Sequence, residues 1–174
     1  MDPKTLAQEL TDAYAARAIV PAPSSRDGGI DLDTAYAVEA EIARARRAAG
    51  HQTVGWKVGY ANKAMWRALK LETLVWAHIY DDTVRYADWN DATLSIAAMF
   101  APKIEPEIVF KLAKTTASSD PAAVLEAVEW YAAGFEVVDC VFPGWKFQTA
   151  DFLGPRGLPA ARVVGGPAEV GAGG

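Results

Sequence analysis

The chain has 174 residues and a mass of 18.6 kDa, with 51% hydrophobic and 22% charged residues. That is room for one domain with a real core, and it excludes a disordered, collagenous or coiled-coil chain. Twenty-two acidic against 17 basic residues leave a net charge of −5 and a pI near 5.0, which lacks the basic footprint a nucleic-acid binder needs. One cysteine, Cys140, excludes an internal disulfide or a multi-cysteine metal site. No apolar run nears the ~20 residues of a membrane span. Asp2, Lys4 and Glu9 leave no secretory apolar region at the N-terminus, so a cytoplasmic protein is expected.

Asp2-Pro3 reads as a helix cap followed by proline in the first turn. Leu6, Leu10, Ala13 and Tyr14 then recur at helical spacing, which predicts a helix to about Ile19. Proline, serine and glycine between Pro21 and Gly29 make a loop. Asp33 is the predicted cap of a second helix with Val38, Ile42, Ala45 and Ala49 as its stripe and Gly50 as its stop. The basic clump Arg44, Arg46 and Arg47 reads as a solvated helix end, where the dipole favours cations, rather than a phosphate track.

Thr53 to Tyr60 alternates as a strand, with Val54, Trp56, Val58 and Tyr60 on one face and Gly55, Lys57 and Gly59 on the other. The expectation is that Trp56 and Val58 enter the core and Lys57 lies on the open face. Asn62 caps a short predicted helix through Met65, Trp66 and Leu69; Leu74–Tyr80 and Thr83–Tyr86 read as strands around an Asp81-Asp82 turn. Leu94–Phe100 is a further apolar run. Lys103–Leu112 alternates again, with Ile104, Pro106, Ile108, Phe110 and Leu112 opposite Glu105, Glu107, Val109 and Lys111. Pro106 cannot donate to a ladder, so the strand is an edge or carries a bulge. Asp120-Pro121 opens a predicted third helix lined by Val124, Val128 and Tyr131 and closed by Gly134, and Phe135–Phe142 is a buried strand. Arg162–Gly165 is a candidate strand and Gly171–Gly174 a frayed end. The tryptophans Trp56, Trp76, Trp130 and Trp145 read as core or pocket wall. The order of elements predicts an α+β chain: an N-terminal helical segment, 1–50, followed by a mixed-sheet catalytic domain, 51–174.

Three features carry chemistry. Glu105 and Glu107 project to one face of a strand, about 7 Å apart along the chain at ~3.3 Å per residue. They are either two surface glutamates on a solvated face or a pair bridged by a hard cation such as Mg²⁺ or Mn²⁺. Glu136 interrupts an otherwise apolar segment. A buried carboxylate is paired, neutralised or metal-bound, here by a lysine such as Lys57 or Lys103, or as the third ligand of a carboxylate site. Lys57 stands between two glycines that leave its face open to a ligand. Near a metal its pKa falls and it can shuttle protons; the alternative is a surface lysine. His51 and His78 are too few and wrongly spaced for zinc. His78 reads as a satisfied core histidine and Cys140 as an inert core thiol.

Gly55-Trp-Lys-Val-Gly-Tyr60, Lys103-Ile-Glu-Pro-Glu-Ile108 and Phe135-Glu-Val-Val-Asp139 followed by Gly144-Trp-Lys-Phe, in this order and at these intervals, resemble the 2-keto-4-pentenoate hydratase and 4-oxalocrotonate decarboxylase group of the fumarylacetoacetate hydrolase superfamily. The resemblance spans roughly residues 5 to 170. It implies a β-roll-like mixed sheet, a Mg²⁺ or Mn²⁺ site and small 2-oxo acid substrates. It makes Glu105, Glu107 and Glu136 the metal ligands and Lys57 the active-site lysine. Two departures stand out. Many hydratases of the group carry Pro-Asp-Tyr-Gly or similar where this chain has Leu74-Val-Trp-Ala77, so an acid is missing at Val75 and Asp81 or Asp82 are the nearest replacements. The family also continues beyond Gly174, so the roll is expected to be incomplete, truncated at the C-terminus or completed by a partner chain.

The resulting expectation is a metal-dependent lyase, a hydro-lyase or carboxy-lyase, in which the ion polarises the substrate carbonyl and stabilises an enolate while Lys57 moves a proton. The alternative is a shortened, catalytically idle paralogue serving as a binding or assembly subunit. An open sheet edge invites association, so a homo-oligomer or a complex with a second related chain is expected.

Overall fold

A computed structural model describes residues 1–69, 73–153 and 161–169. The glycine-rich end expected to fray, Gly171–Gly174, lies outside the described residues. The chain forms two compact units. One comprises residues 1–83, 96–102 and 138–160; the other comprises 84–95, 103–137 and 161–174. The first pair of strands falls in the same unit as the two N-terminal helices.

In the first unit, helix α1 (Pro3–Ala16) starts where Asp2 accepts a hydrogen bond from the Thr5 amide. It stops three residues before Ile19, because Arg17 takes a left-handed conformation (φ 55°) and its N–H closes on the Ala13 and Tyr14 carbonyls. Helix α2 (Leu32–Ala48) is capped by Asp31, which accepts from the Thr34 amide, and not by the expected Asp33, which sits in its first turn. Gly50 follows at φ 96°, a conformation that glycine adopts without a Cβ clash. The two helices bury Leu6, Leu10, Val38 and Ile42 against Val138, Val141 and Phe142. Arg44 pairs with Glu41 on the exposed helix surface, whereas Arg46 departs from the expected solvated end: it pairs with Asp82 and lies over the Tyr80 ring.

Strands β1 (Thr53–Gly59) and β2 (Val75–Tyr80) form an antiparallel pair with Trp56 opposite His78 and Lys57 opposite Ala77. Helix α3 (Lys63–Leu69) lies between them in sequence, with Asn62 Oδ1 accepting from the Ala64 amide. The orientation of β1 reverses the expectation. Lys57 is only 8% exposed, whereas Trp56 is 67% and Val58 47% exposed. Trp76 on β2 is also exposed, so neither it nor Trp56 is core; Trp56 and Trp76 flank His78, with Tyr36 stacked on Trp76. The apolar run 94–100 forms no strand. It is held by Asp139, whose two carboxylate oxygens accept the Phe100 and Ala101 amides at 2.8 and 2.9 Å. A short helix α5 (Thr149–Leu153) buries Leu153 against Ala35 and Val75.

The second unit is a mixed sheet in the order β3 (Val84–Tyr86), β6 (Ala161–Val164), β5 (Val128–Val138), β4 (Lys103–Leu112), with β7 (Ala168–Glu169) also on β5. β3 runs parallel to β6, and β5 is antiparallel to β6 and β7. β4, the strand interrupted by Pro106, is the edge of this order. The third helix is shorter than predicted: α4 covers only Pro121–Glu126. Val128–Tyr131 is strand, as suits a valine, a tryptophan and a tyrosine in close succession. Gly134 therefore sits in mid-strand instead of closing a helix. A Cβ there would lie 2.9 Å from both Val109 Cγ2 and the Val163 carbonyl oxygen, so glycine permits both neighbouring strands to approach.

Candidate metal centre

The second unit brings the three glutamates together. Glu105 and Glu107 come from the edge strand, two residues apart and so on one face. Glu136 comes from β5, the strand beside it, and Gly134 and Val109 share the same side because the two nearly touch. One carboxylate oxygen from each of Glu105, Glu107 and Glu136 lies within 4.8 Å of the others. Their environments are graded: Glu105 is exposed, Glu107 half-buried and Glu136 only 2% exposed. The opposite face of β4 carries Ile104, Ile108, Phe110 and Leu112, all exposed.

A fourth residue belongs to the cluster and was not foreseen. The β5–β6 register sets Arg162 directly opposite Glu136, and its Nη2 donates to Glu136 Oε1 at 2.6 Å. Cross-strand partners point to the same face, so one register fixes this buried ion pair. The arginine lies in a segment of glycine, proline and small residues whose sequence pattern gives no strand register. The only available signal was the need of a buried Glu136 for a cation.

The donor set suits a hard divalent cation. Three carboxylates converge, one of them buried, and Mg²⁺ and Mn²⁺ take oxygen ligands. Arg162 pairs with one of the three carboxylates, that of Glu136.

Lys57 belongs to the first unit, on the buried face of β1. His78 is satisfied as expected: Glu39, 2% exposed, accepts its backbone N–H at 3.0 Å and faces its Nδ1 at 2.7 Å. Cys140 is buried among the helix-packing residues. His51, Asp81 and Asp82 form another close group, but their bonds are those of a structural corner. Asp82 pairs with Arg46 at the end of α2, and Asp81 Oδ1 accepts the Gln52 and Asp82 amides. Burial, together with the nearby Glu39 carboxylate, pushes the Tyr80 phenol up to about 12.

No protein-family model matches the chain. It is 27% identical over 165 residues to the 2-hydroxyhexa-2,4-dienoate hydratase of Comamonas testosteroni, covering 93% of this chain and 62% of the relative. It is 29% identical over 168 residues to the 2-hydroxypent-2,4-dienoate hydratase of Pseudomonas putida, covering 93% of this chain and 75% of the relative. The solved 4-oxalocrotonate decarboxylase from Pseudomonas putida G7, complexed with magnesium and adipate, superposes with a TM-score of 0.84 at 22% identity, over 96% of this chain and 64% of that one.

The chain is similar to curated 2-keto-4-pentenoate hydratases and 4-oxalocrotonate decarboxylases. Its α+β fold, helices with a mixed sheet, is that of the decarboxylase. The chain spans about 62% of the length of the Comamonas hydratase and 61% of that of a Pseudomonas 4-oxalocrotonate decarboxylase. Among the described residues, no helix is long and apolar enough to cross a membrane.

Proposed function

We propose that this chain carries the metal-binding part of a lyase, a hydratase or decarboxylase, acting on small 2-oxo acids. The observation that carries the reading is the convergence of Glu105, Glu107 and Glu136 in a chain whose relatives are hydratases and decarboxylases. These three glutamates are the residues we assign to holding Mg²⁺ or Mn²⁺. When bound, the ion supplies Lewis acidity toward the carboxylate and 2-keto oxygens of a substrate.

The chain's own residues do the rest. Glu136, buried, holds its charge in a fixed direction, and exposed Glu105 and half-buried Glu107 would supply the other two carboxylates to the ion. Lys57 is the residue we assign to proton movement at the carbon beside the ketone. Its support is that a lysine occupies the buried face of β1 while Trp56 and Val58 take the exposed one; a lysine rarely takes such a place without a role for its charge. A cytoplasmic location and an assembly with a second copy, or with a related chain, complete the proposal.

The test is turnover of a 2-hydroxy-2,4-dienoate by the purified chain with Mg²⁺, followed by loss of diene absorbance. Lys57→Ala is expected to lower kcat by about 100-fold or more, the usual scale for a general acid–base group, and Glu107→Ala is expected to lower it through loss of a metal ligand. Mg²⁺ binding with no turnover of a hydratase or decarboxylase substrate favours the idle paralogue and overturns the catalytic reading.

A further inference from the structure

Arg162 places a fixed positive charge against Glu136, one of three converging carboxylates. The ion pair is buried on both sides: the Glu136 side chain is 2% exposed and that of Arg162 9%, with 2.6 Å between Nη2 and Oε1. It is also imposed by the fold, because Glu136 and Arg162 are register partners across β5 and β6. Taking the guanidinium away from buried Glu136, which already lies beside Glu105 and Glu107, is costly, since removing one partner of a buried ion pair destabilises strongly.

We propose that Arg162 is the built-in counter-cation of the three-glutamate cluster: it keeps the sheet folded when no metal is bound and holds divalent affinity down when one is. The inference rests on reading the glutamates as a cation site. Two charges act on the same carboxylates. A divalent ion entering the cluster meets the guanidinium's repulsion and shares Glu136 with it. Removing the guanidinium therefore weakens the metal-free fold and strengthens the attraction for the ion. A residue that only held Glu136 in place for the ion would do the reverse on binding, because its loss would loosen a ligand.

The experiment compares wild type, Arg162→Gln and Arg162→Lys by thermal unfolding without metal and with Mg²⁺ alone, and by calorimetric Mg²⁺ titration. Arg162→Gln is expected to melt lower without metal, and to bind Mg²⁺ on the order of tenfold more tightly, equivalent to ~1.4 kcal/mol. Its Mg²⁺-induced rise in Tm then exceeds that of wild type, since stabilisation by a ligand grows as its Kd falls. Arg162→Lys, which keeps the charge, is expected to stay close to wild type in both readings.

If Arg162→Gln is unfolded without metal, recovery of the far-UV spectrum on adding Mg²⁺ supports the proposal, and failure to recover overturns it. Unchanged or weaker Mg²⁺ binding by Arg162→Gln, with wild type binding normally, overturns the role of Arg162 and leaves the metal site standing. Absence of Mg²⁺ binding by wild type and by both variants overturns both.

Discussion

Asp139 closes the motif Phe135-Glu-Val-Val-Asp139, and the structure gives it a structural task. Its carboxylate oxygens accept the Phe100 and Ala101 amides at 2.8 and 2.9 Å, and its side chain lies in a residue only 3% exposed. Replacing it with alanine removes both acceptors. Each hydrogen bond to a charged group contributes roughly 1.5–3 kcal/mol. Water reaches the exposed Ala101 and half-buried Phe100, so the low end applies to each and the loss is about 3 kcal/mol. Asp139→Asn keeps one carbonyl oxygen and is expected to lose about half of that. The Tyr14 hydroxyl donates to the Asp139 backbone carbonyl, which survives both substitutions, so the difference reports the carboxylate. Urea unfolding followed by far-UV circular dichroism gives the three stabilities, and for a chain of this size Asp139→Ala is expected to lower Tm by about 6–12 °C. An Asp139→Ala protein within ~0.5 kcal/mol of wild type refutes the view that this carboxylate organises residues 96–102.

Two further outcomes follow from the same geometry. Gly134→Ala forces a Cβ to within 2.9 Å of Val109 and the Val163 carbonyl; it is expected to cost about 1–3 kcal/mol in thermal unfolding. It should also weaken Mg²⁺ binding, because Val109 lies on the strand that carries Glu105 and Glu107. Tyr80 is buried, and its hydroxyl has no hydrogen-bond partner among the described residues. Its phenol is raised to about 12 from 10.0, so it stays protonated in the native chain while ionising in the unfolded one. Stability is therefore retained below pH 10 and lost as pH rises from there to about 12. Tyr80→Phe is expected to leave neutral-pH stability unchanged or slightly higher and to flatten that alkaline decline in pH-dependent melts.

Sequence pattern carried the local structure well where one period dominated. Strand β4 runs over the residues its alternation marks, Lys103–Leu112, and Asp2-Pro3 and Gly50 bound helices as their chemistry requires. Alternation says which residues share a face, but not which face the protein buries. Trp56 and Val58 lie exposed and Lys57 buried, the reverse of what their polarity suggests. At Val128–Gly134 a helical spacing of apolar residues coincided with a run that also suits a strand, and pairing with β7 and the close approach of Val109 and Val163 decided for the strand. The three glutamates were legible because same-face spacing and a carboxylate within an apolar run are local signals. Arg162 was not, because its place opposite Glu136 comes from long-range register, which no local pattern encodes.

The most direct test of the account is calorimetric titration of Mg²⁺ into the purified chain, with Glu107→Ala as the paired control and circular dichroism to verify that the control is folded. Saturable binding of one ion per chain, lost in Glu107→Ala, is the expected result. Absence of saturable Mg²⁺ binding by the wild-type chain, or equal affinity in a folded Glu107→Ala protein, contradicts it.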